Sequence, residues 1–139
     1  DHLYGSQPSF NWFAAKLRDP KMKSLDLFVA EKGNKGLAEL VKYLQRQRTQ
    51  MVFFQLRVNT DSKEAMFIYG KFVGSKVGFM RKVKLNKNAK EIAENFSQKH
   101  ICIDLDDDLK GFDAAQLSQQ LMEINKDATV FDYGGGAVF

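Results

Sequence analysis

The chain has 139 residues and a formal net charge of +4, with 44% hydrophobic and 27% charged residues. This length suits one domain with a proper core, and the composition excludes an intrinsically disordered chain. No apolar run is long enough for a transmembrane helix, and no signal-peptide core follows the start. Because the chain begins with Asp1, we expect a processed product or a piece of a longer protein.

The chain contains one cysteine, Cys102. An internal disulfide is therefore excluded, and a reducing cytosolic environment is expected. Cys102 lies between two isoleucines in an apolar, strand-like setting, which predicts a buried structural thiol rather than a reactive one.

Apolar periodicity predicts the elements of the first half of the chain. Apolar residues recur at i, i+3, i+4 and i+7 over 10–17, which predicts a first helix that ends before Pro20. Alternation over 25–29 predicts a strand, and a Gly-Asn-Lys-Gly turn follows it. A second amphipathic helix is expected over 37–47.

Three consecutive strands are predicted in the middle of the chain, over 51–58, 65–73 and 77–85. The short polar turns between them favour an antiparallel meander. Asn88 and Glu91 then resemble a capping box, which predicts the start of a third helix.

The third helix is expected over 89–96, followed by a last strand over 101–105. Asp113 is a candidate N-cap for a fourth helix whose inner face would carry Leu117, Leu121 and Ile124. The segment from Ala128 onwards has no period and is expected to be irregular.

This order of elements predicts an α+β fold with a central mixed β-sheet, mostly antiparallel, sandwiched between helices. The expected domain organisation is a loose N-terminal arm over 1–8, one folded domain over 9–125 and an irregular C-terminal tail over 126–139.

The sequence contains few groups that could carry out catalysis. His2 lies in the loose arm and His100 at a helix-to-strand junction, and neither has metal-ligand spacing to a cysteine or carboxylate. In the acidic run that begins at Asp104, Leu109 and Ala115 occupy the positions where an EF-hand requires Gly and Glu. We therefore predict a protein that is not an enzyme and has no metal site and no cofactor.

The feature that indicates a function is a basic stretch of seven cations and no acid between residues 71 and 90: Lys71, Lys76, Arg81, Lys82, Lys84, Lys87 and Lys90. On a strand, Lys82 and Lys84 would share one face, while Phe79 would point into the core. A nucleic-acid surface would need exposed aromatic residues among the cations and is less favoured. A solvated face without a partner and an acidic protein surface remain open, and the second is preferred.

Several segments resemble those of coactosin-like proteins, a branch of the actin-depolymerising-factor homology (ADF-H) class. The helix and strand before residue 58, the hairpin with its Ser-Lys turn, and the basic stretch that leads into a long helix are similar to the family in this order. The matching segments are 35–40, 50–58, 62–68, 78–81 and 90–96, within a likeness that covers roughly 10–122.

The resemblance implies a central mixed sheet flanked by helices, and actin binding without catalysis or cofactor. In the ADF-H class, the long third helix and the segment before the last helix contact a cleft in actin. Those segments correspond here to about 87–98 and 109–113. A second surface, specific for filaments, uses basic residues of the central hairpin and the last helix.

The sequence departs from the family pattern in the hairpin. Lys63 is kept, but Glu64, Ala65 and Met66 stand where the family has further cations. A filament salt bridge cannot form with Met66, and Glu64 would repel an acidic actin surface. Residues 70–72 also replace the family's Trp-Gly-Glu-like strand end.

Two functions follow from these observations. The first is a coactosin-like actin-filament binder of the cytoplasm and cytoskeleton that uses Lys63 and the seven cations of the basic stretch. The alternative is a diverged ADF-H domain that serves as a structural component of a larger cytoskeletal assembly, for example in a cilium or flagellum, with a partner other than actin. Neither involves a small-molecule substrate or a membrane.

Overall fold

The structure, a computed structural model, describes Leu3, residues 9–62 and residues 64–134. Lys63, the rest of the arm and the last five residues lie outside this description. The described residues form nine elements, which are β1 (Trp12–Leu17), β2 (Leu27–Gly33), α1 (Gly36–Leu44), β3 (Met51–Thr60), β4 (Met66–Val73), α2 (Phe79–Ala93), β5 (Ile101–Leu105), α3 (Ala114–Ile124) and β6 (Phe131–Asp132).

The strands form one six-stranded mixed sheet in the order β2-β1-β3-β4-β5, and β6 pairs with the end of β3. All pairings are antiparallel except that of β4 with β5, which is parallel. A parallel connection needs a crossover, and α2 provides it. The predicted fold class, a mostly antiparallel mixed sheet between helices, is confirmed.

The two faces of the sheet carry separate apolar clusters. On one face, α1 and α3 pack on β3 through residues such as Leu40, Leu121 and Phe54. On the other face, α2 packs through Leu85 and Ile92. The fold is therefore a three-layer sandwich, with α2 alone among the described helices on its face.

The prediction of a helix over 10–17 is wrong, because these residues form β1. Trp12 and Ala14 are buried on the α1 and α3 side, whereas Ala15 and Leu17 are buried on the α2 side. A central strand that is covered on both faces is apolar on both faces, so it lacks the alternation that identifies a strand. Its apolar residues matched helical spacing by coincidence.

The predicted strand over 77–85 is also wrong, because α2 begins at Phe79 and continues to Ala93. The helix predicted from Asn88 is real, but it starts about ten residues earlier. Val77, Phe79, Val83 and Leu85 mimic strand alternation, although among residues 79–93 only Leu85 and Ile92 are fully buried. Asn88 is an interior helical residue that donates its side-chain amide to Lys84 O.

The segment after α3 was expected to be irregular, but it packs into the core. Phe131 and Tyr133 are buried, and β6 pairs with Asn59 and Thr60 of β3. Leu37 donates its N–H to Tyr133 O at 3.0 Å, which joins this segment to the start of α1. Long-range contacts of this kind leave no periodic pattern in a short segment.

The remaining predicted elements are confirmed within a few residues. These are β2, α1, β3, β4, β5 and α3, and Asp113 caps α3 by accepting the N–H of Gln116 at 2.9 Å. Leu117 and Leu121 lie on the inner face of α3 as predicted, but Ile124 is exposed. None of the described helices is long and apolar enough to cross a membrane.

Candidate partner-binding face on helix α2

The outer side of α2 combines exposed apolar side chains with cations. Phe79 and Met80, at the start of the helix, are each 76% exposed. Each residue turns the helix by about 100°, so Val83, Lys87 and Lys90 follow Phe79 along the outer side. We call the set Phe79, Met80, Val83, Lys84, Lys87 and Lys90 the α2 face.

A groove of about 490 Å³ runs between α2 and the β1–β2 turn. The turn provides one wall and α2 the other, and the residues that line it are Pro20, Lys21, Met22, Met80, Arg81, Val83, Lys84, Lys87 and Asn88. None of these lining residues is acidic, and four are basic. The groove therefore presents apolar surface inside a positive field, which suits an acidic partner with an apolar projection.

Hydrogen bonds hold the turn wall of the groove in place. The Asp19 carboxylate accepts the backbone N–H groups of Lys21 and Lys23, both at 3.0 Å. The bond from Lys21 is the main reason that the pKa of Asp19 lies below its ordinary value. Lys84 Nζ donates to Lys21 O at 2.6 Å, and Met22 is buried with a φ of 60°.

Arg81 adds an unsatisfied donor to the groove. Its side chain is half-buried, and its Nε is buried without a hydrogen-bond partner in the described part of the chain. Buried polar atoms are normally hydrogen-bonded, so this donor is an exception to that rule.

The cations of the basic stretch do not form one surface. Lys84 and Lys87 line the groove and Lys90 follows on the exposed side, but Lys82 lies on the opposite flank of α2. The prediction that Lys82 and Lys84 share a face is wrong, because positions two apart on a helix differ by about 200°.

Lys71 and Lys82 belong to a separate, mixed-charge depression of about 300 Å³ that also contains Asp104 and Asp106. Lys71 Nζ lies 3.5 Å from Asp104 Oδ1, and its side chain is 15% exposed. Its charge is therefore partly neutralised within the chain. Lys71 contributes little to the α2 face.

Lys76 is exposed in the turn after β4, close to an acidic residue. The Asp107 carboxylate accepts two hydrogen bonds from Ser75, one from its hydroxyl and one from its backbone N–H at 3.0 Å. These bonds lower the pKa of Asp107. The turn that holds Lys76 is thus fixed to the segment after β5. Lys63 lies outside the described residues.

The segment before α3 does not line the groove either. Leu109, with a φ of 52°, packs against the core, and Phe112 is buried with its ring centroid 5.3 Å from that of Phe54. Asp104 and Asp106 border both the Lys82 depression and a second one, of about 390 Å³, that contains Lys110. An acidic strip therefore lies between this flank of α2 and Lys110.

The two apolar residues at the start of α2 were not identified from the sequence. Phe79 was assigned to the core, but it is exposed together with Met80. Their exposure follows from helical geometry. Leu85 and Ile92, seven residues apart, lie on the buried side of α2, and Phe79 and Met80 lie on other sides of the helix. This repeat was the available signal, and the strand-like alternation over 77–85 obscured it.

A second exposed apolar surface lies on the other side of the molecule, where Met122, Ile124 and Val130 are exposed. Asp61 joins the hairpin turn to this surface by accepting the N–H groups of Thr129 and Val130, at 2.8 and 3.1 Å. Among the described residues that line a depression of about 440 Å³ here are one cation, Lys126, and one acid, Glu123.

The groups with chemical reactivity do not converge on a catalytic site in the described residues. His100 Nδ1 accepts the N–H of Phe67 at 2.9 Å, and His100 N–H donates to Phe67 O at the same distance, which fixes the start of β5 to β4. No group of three or more candidate metal ligands occurs among the residues described. Cys102 is exposed, so the prediction of a buried thiol is wrong.

The arrangement of sheet and helices defines the ADF-H fold. Among solved structures, the chain is similar to human coactosin-like protein, with a TM-score of 0.65 and 11% identity over 88% of each chain. It is also similar to coactosin from Entamoeba histolytica, with a TM-score of 0.66 and 16% identity over 86% of this chain and 88% of that one.

Mouse coactosin, described as an actin filament binding protein, gives a TM-score of 0.62 and 14% identity, over 87% of this chain and 81% of that one. No protein-family model and no curated protein sequence matches the chain. At these low identities the likeness concerns the fold.

Proposed function

We propose that this chain is a non-catalytic cytoskeletal binding module that binds actin through the α2 face. The observation that carries the proposal is the pair Phe79 and Met80, exposed on the long crossover helix of a coactosin-like fold and bordered by Lys84, Lys87 and Lys90. Large exposed apolar residues on a soluble domain commonly mark an interaction site.

Apolar contact and charge have different roles in this proposal. Phe79, Met80 and Val83 would supply the apolar centre of the interface, which carries most of the binding energy in protein complexes. Lys87 and Lys90 would lie nearer the rim, where they would attract an acidic surface and accelerate association.

A second candidate function follows from the surface around the hairpin and α3. Among its described residues, this surface has Glu64, Glu123 and the exposed Met122, and Met66 is buried in the core. A diverged ADF-H domain in a larger cytoskeletal assembly would use such an apolar surface for a partner other than actin. If the chain binds actin through the α2 face, the surface around the hairpin and α3 contributes little to filament binding.

Co-sedimentation with actin filaments at low and physiological salt tests the proposal. Pelleting that weakens as the salt concentration rises is expected, because the cations of the α2 face are exposed and screened. A parallel titration with fluorescently labelled actin monomers separates monomer from filament binding. Failure to bind either form would contradict the actin proposal and leave the second candidate.

A further inference from the structure

β5 is an edge strand whose outer side is unpaired in the described structure. The sheet order ends at β5, which pairs only with β4. No other described strand pairs with β5, and the side chains of Cys102 and Asp104 are exposed. An open edge presents backbone donors and acceptors that can pair with another strand.

The backbone alternation shows which groups of β4 are directed toward β5. Arg57 of β3 donates its N–H to Asn11 O at 2.8 Å, on the β1 side. Alternate residues of a strand point their backbone groups in opposite directions, so Leu56 faces β4, where it is paired with Ile68. The next residue of β4, Tyr69, therefore directs its N–H and C=O toward β5.

The same alternation assigns the outer groups of β5. Tyr69 is in register with Cys102, so its backbone groups lie between Ile101 and Ile103, which face β4. Cys102 and Asp104 then direct their N–H and C=O groups away from the sheet. The exposed thiol and the outward backbone groups belong to the same residue.

Charge is distributed unevenly along β5. Lys99 precedes the strand, whereas Asp104 and Asp106 lie at its end. If a second β5 were added in parallel, the acidic ends would meet and repel. In an antiparallel pair, the basic start of each strand would lie beside the acidic end of the other.

We propose that a second copy of this chain pairs its β5 antiparallel to this one, with the two-fold axis at Cys102. In this register Cys102 lies opposite the second copy's Cys102, and both residues exchange their outward N–H and C=O groups. Ile101 lies opposite the second copy's Ile103, and His100 opposite the second copy's Asp104. The two sheets join into one continuous sheet.

The proposed register has a measurable geometric consequence. Directly opposed residues that exchange hydrogen bonds in an antiparallel pair have Cα atoms about 5.5 Å apart. This spacing falls within the range that a disulfide can bridge. Two five-residue strands form a small contact, so the dimer is weak and depends on protein concentration.

Zero-length cross-linking with diamide tests the register in the absence of actin. Two Cys102 thiols lose two protons and two electrons to form one disulfide, and the N=N bond of diamide accepts them to become a hydrazine. Rapid formation of a covalent dimer by the native chain is expected. The result is independent of the proposed actin binding.

The matched control moves the thiol along the same face of β5, in the double variant Cys102→Ser with Asp104→Cys. In the proposed register the two introduced thiols are about 13 Å apart along the strand, so this variant should cross-link at least tenfold more slowly. Equal cross-linking rates for the native chain and the control would overturn the register, as would no cross-linking of the native chain.

Sedimentation equilibrium of the reduced protein tests the association itself. Asp104→Lys would place a cation beside the second copy's Lys99, and should weaken dimerisation by about tenfold. Asp108→Lys makes the same change of net charge at an exposed position outside β5 and should leave dimerisation unchanged. A strictly monomeric native chain, or equal effects of the two variants, would overturn the proposal.

Discussion

Lys84 Nζ donates a hydrogen bond to the main-chain oxygen of Lys21 at 2.6 Å, and this bond ties α2 to the β1–β2 turn. The two residues lie on opposite walls of the groove. Part of the hydrogen-bonding capacity of Lys84 is therefore used within the chain. We infer that Lys84 positions the groove, whereas Lys87 and Lys90 are available to a partner.

Replacement of Lys84 by Ala should lower the free energy of unfolding by about 0.5–1 kcal/mol, because an exposed hydrogen bond contributes modestly to stability. Lys87→Ala removes an exposed lysine of the same helix that has no such bond to another described residue, and should change stability by less. Urea unfolding followed by the fluorescence of Trp12, which is buried, measures both. Equal losses would argue against the positioning role.

The charges on the two flanks of α2 should contribute unequally to actin binding. The double variant Lys87→Glu with Lys90→Glu reverses two charges of the α2 face and should weaken binding by about tenfold, or about 1.4 kcal/mol. Lys82→Glu, on the opposite flank, should bind like the native chain. Co-sedimentation at low salt measures the difference, and a larger effect of Lys82→Glu would place the interface elsewhere.

Asp61 should make the stability of the fold dependent on acidic pH. Hydrogen bonds from the Thr129 side chain and from the Thr129 and Val130 backbones lower its pKa from 3.8 to about 2. Because the pKa of Asp61 is lower in the folded state than in the unfolded state, the ionised carboxylate stabilises the folded state above about pH 4. This contribution is lost as the pH falls toward 2. Between pH 4 and 2, the free energy of unfolding measured with urea should fall less for Asp61→Asn than for the native chain. The same pH dependence in both proteins would contradict the role given to Asp61.

Tyr133 should contribute to stability although it lies in the segment expected to be irregular. Its hydroxyl is 2.8 Å from Ser118 Oγ and 3.3 Å from Ala114 O, both in α3. Tyr133→Phe leaves these buried groups without that partner and should cost about 1–3 kcal/mol. Tyr43→Phe is the matched control, because Tyr43 is buried but its hydroxyl has no such bond to α3.

The elements that could be predicted from the sequence are those in which at least one buried face carries an unbroken apolar period. The β3 residues Val52, Phe54, Leu56 and Val58 alternate with the opposite face as predicted and join one cluster. In α1, Leu37, Leu40 and Leu44 occur at helical spacing. In these elements the spacing of the apolar residues matches the spacing of the buried residues, because one side of each element faces the core along its whole length.

Two of the wrong predictions, those for β1 and Cys102, have a common physical cause, which is burial determined by distant neighbours. β1 is apolar on both faces because β2 and β3 flank it in a sheet that is covered on both sides. Cys102 is exposed because β5 is at the edge of the sheet, although its sequence neighbours are apolar. Sheet order and edge position depend on long-range pairing, which a local pattern does not contain.

The candidate site was predicted in part. The basic stretch includes the segment that forms the α2 face, but its assignment as a strand paired Lys82 with Lys84 and placed Phe79 in the core. Once residues 79–93 form a helix, the exposed apolar pair and the two charged flanks follow from the 100° turn per residue. The groove could not be predicted, because its second wall comes from the β1–β2 turn.

The most direct test of the α2 face compares two exposed methionines on opposite sides of the sheet, in co-sedimentation with actin filaments. Met80→Glu places an acid beside the groove and should abolish pelleting of the chain. Met122→Glu makes the same change on α3 and should leave pelleting intact. Unchanged pelleting of Met80→Glu, or a loss confined to Met122→Glu, would contradict binding through α2.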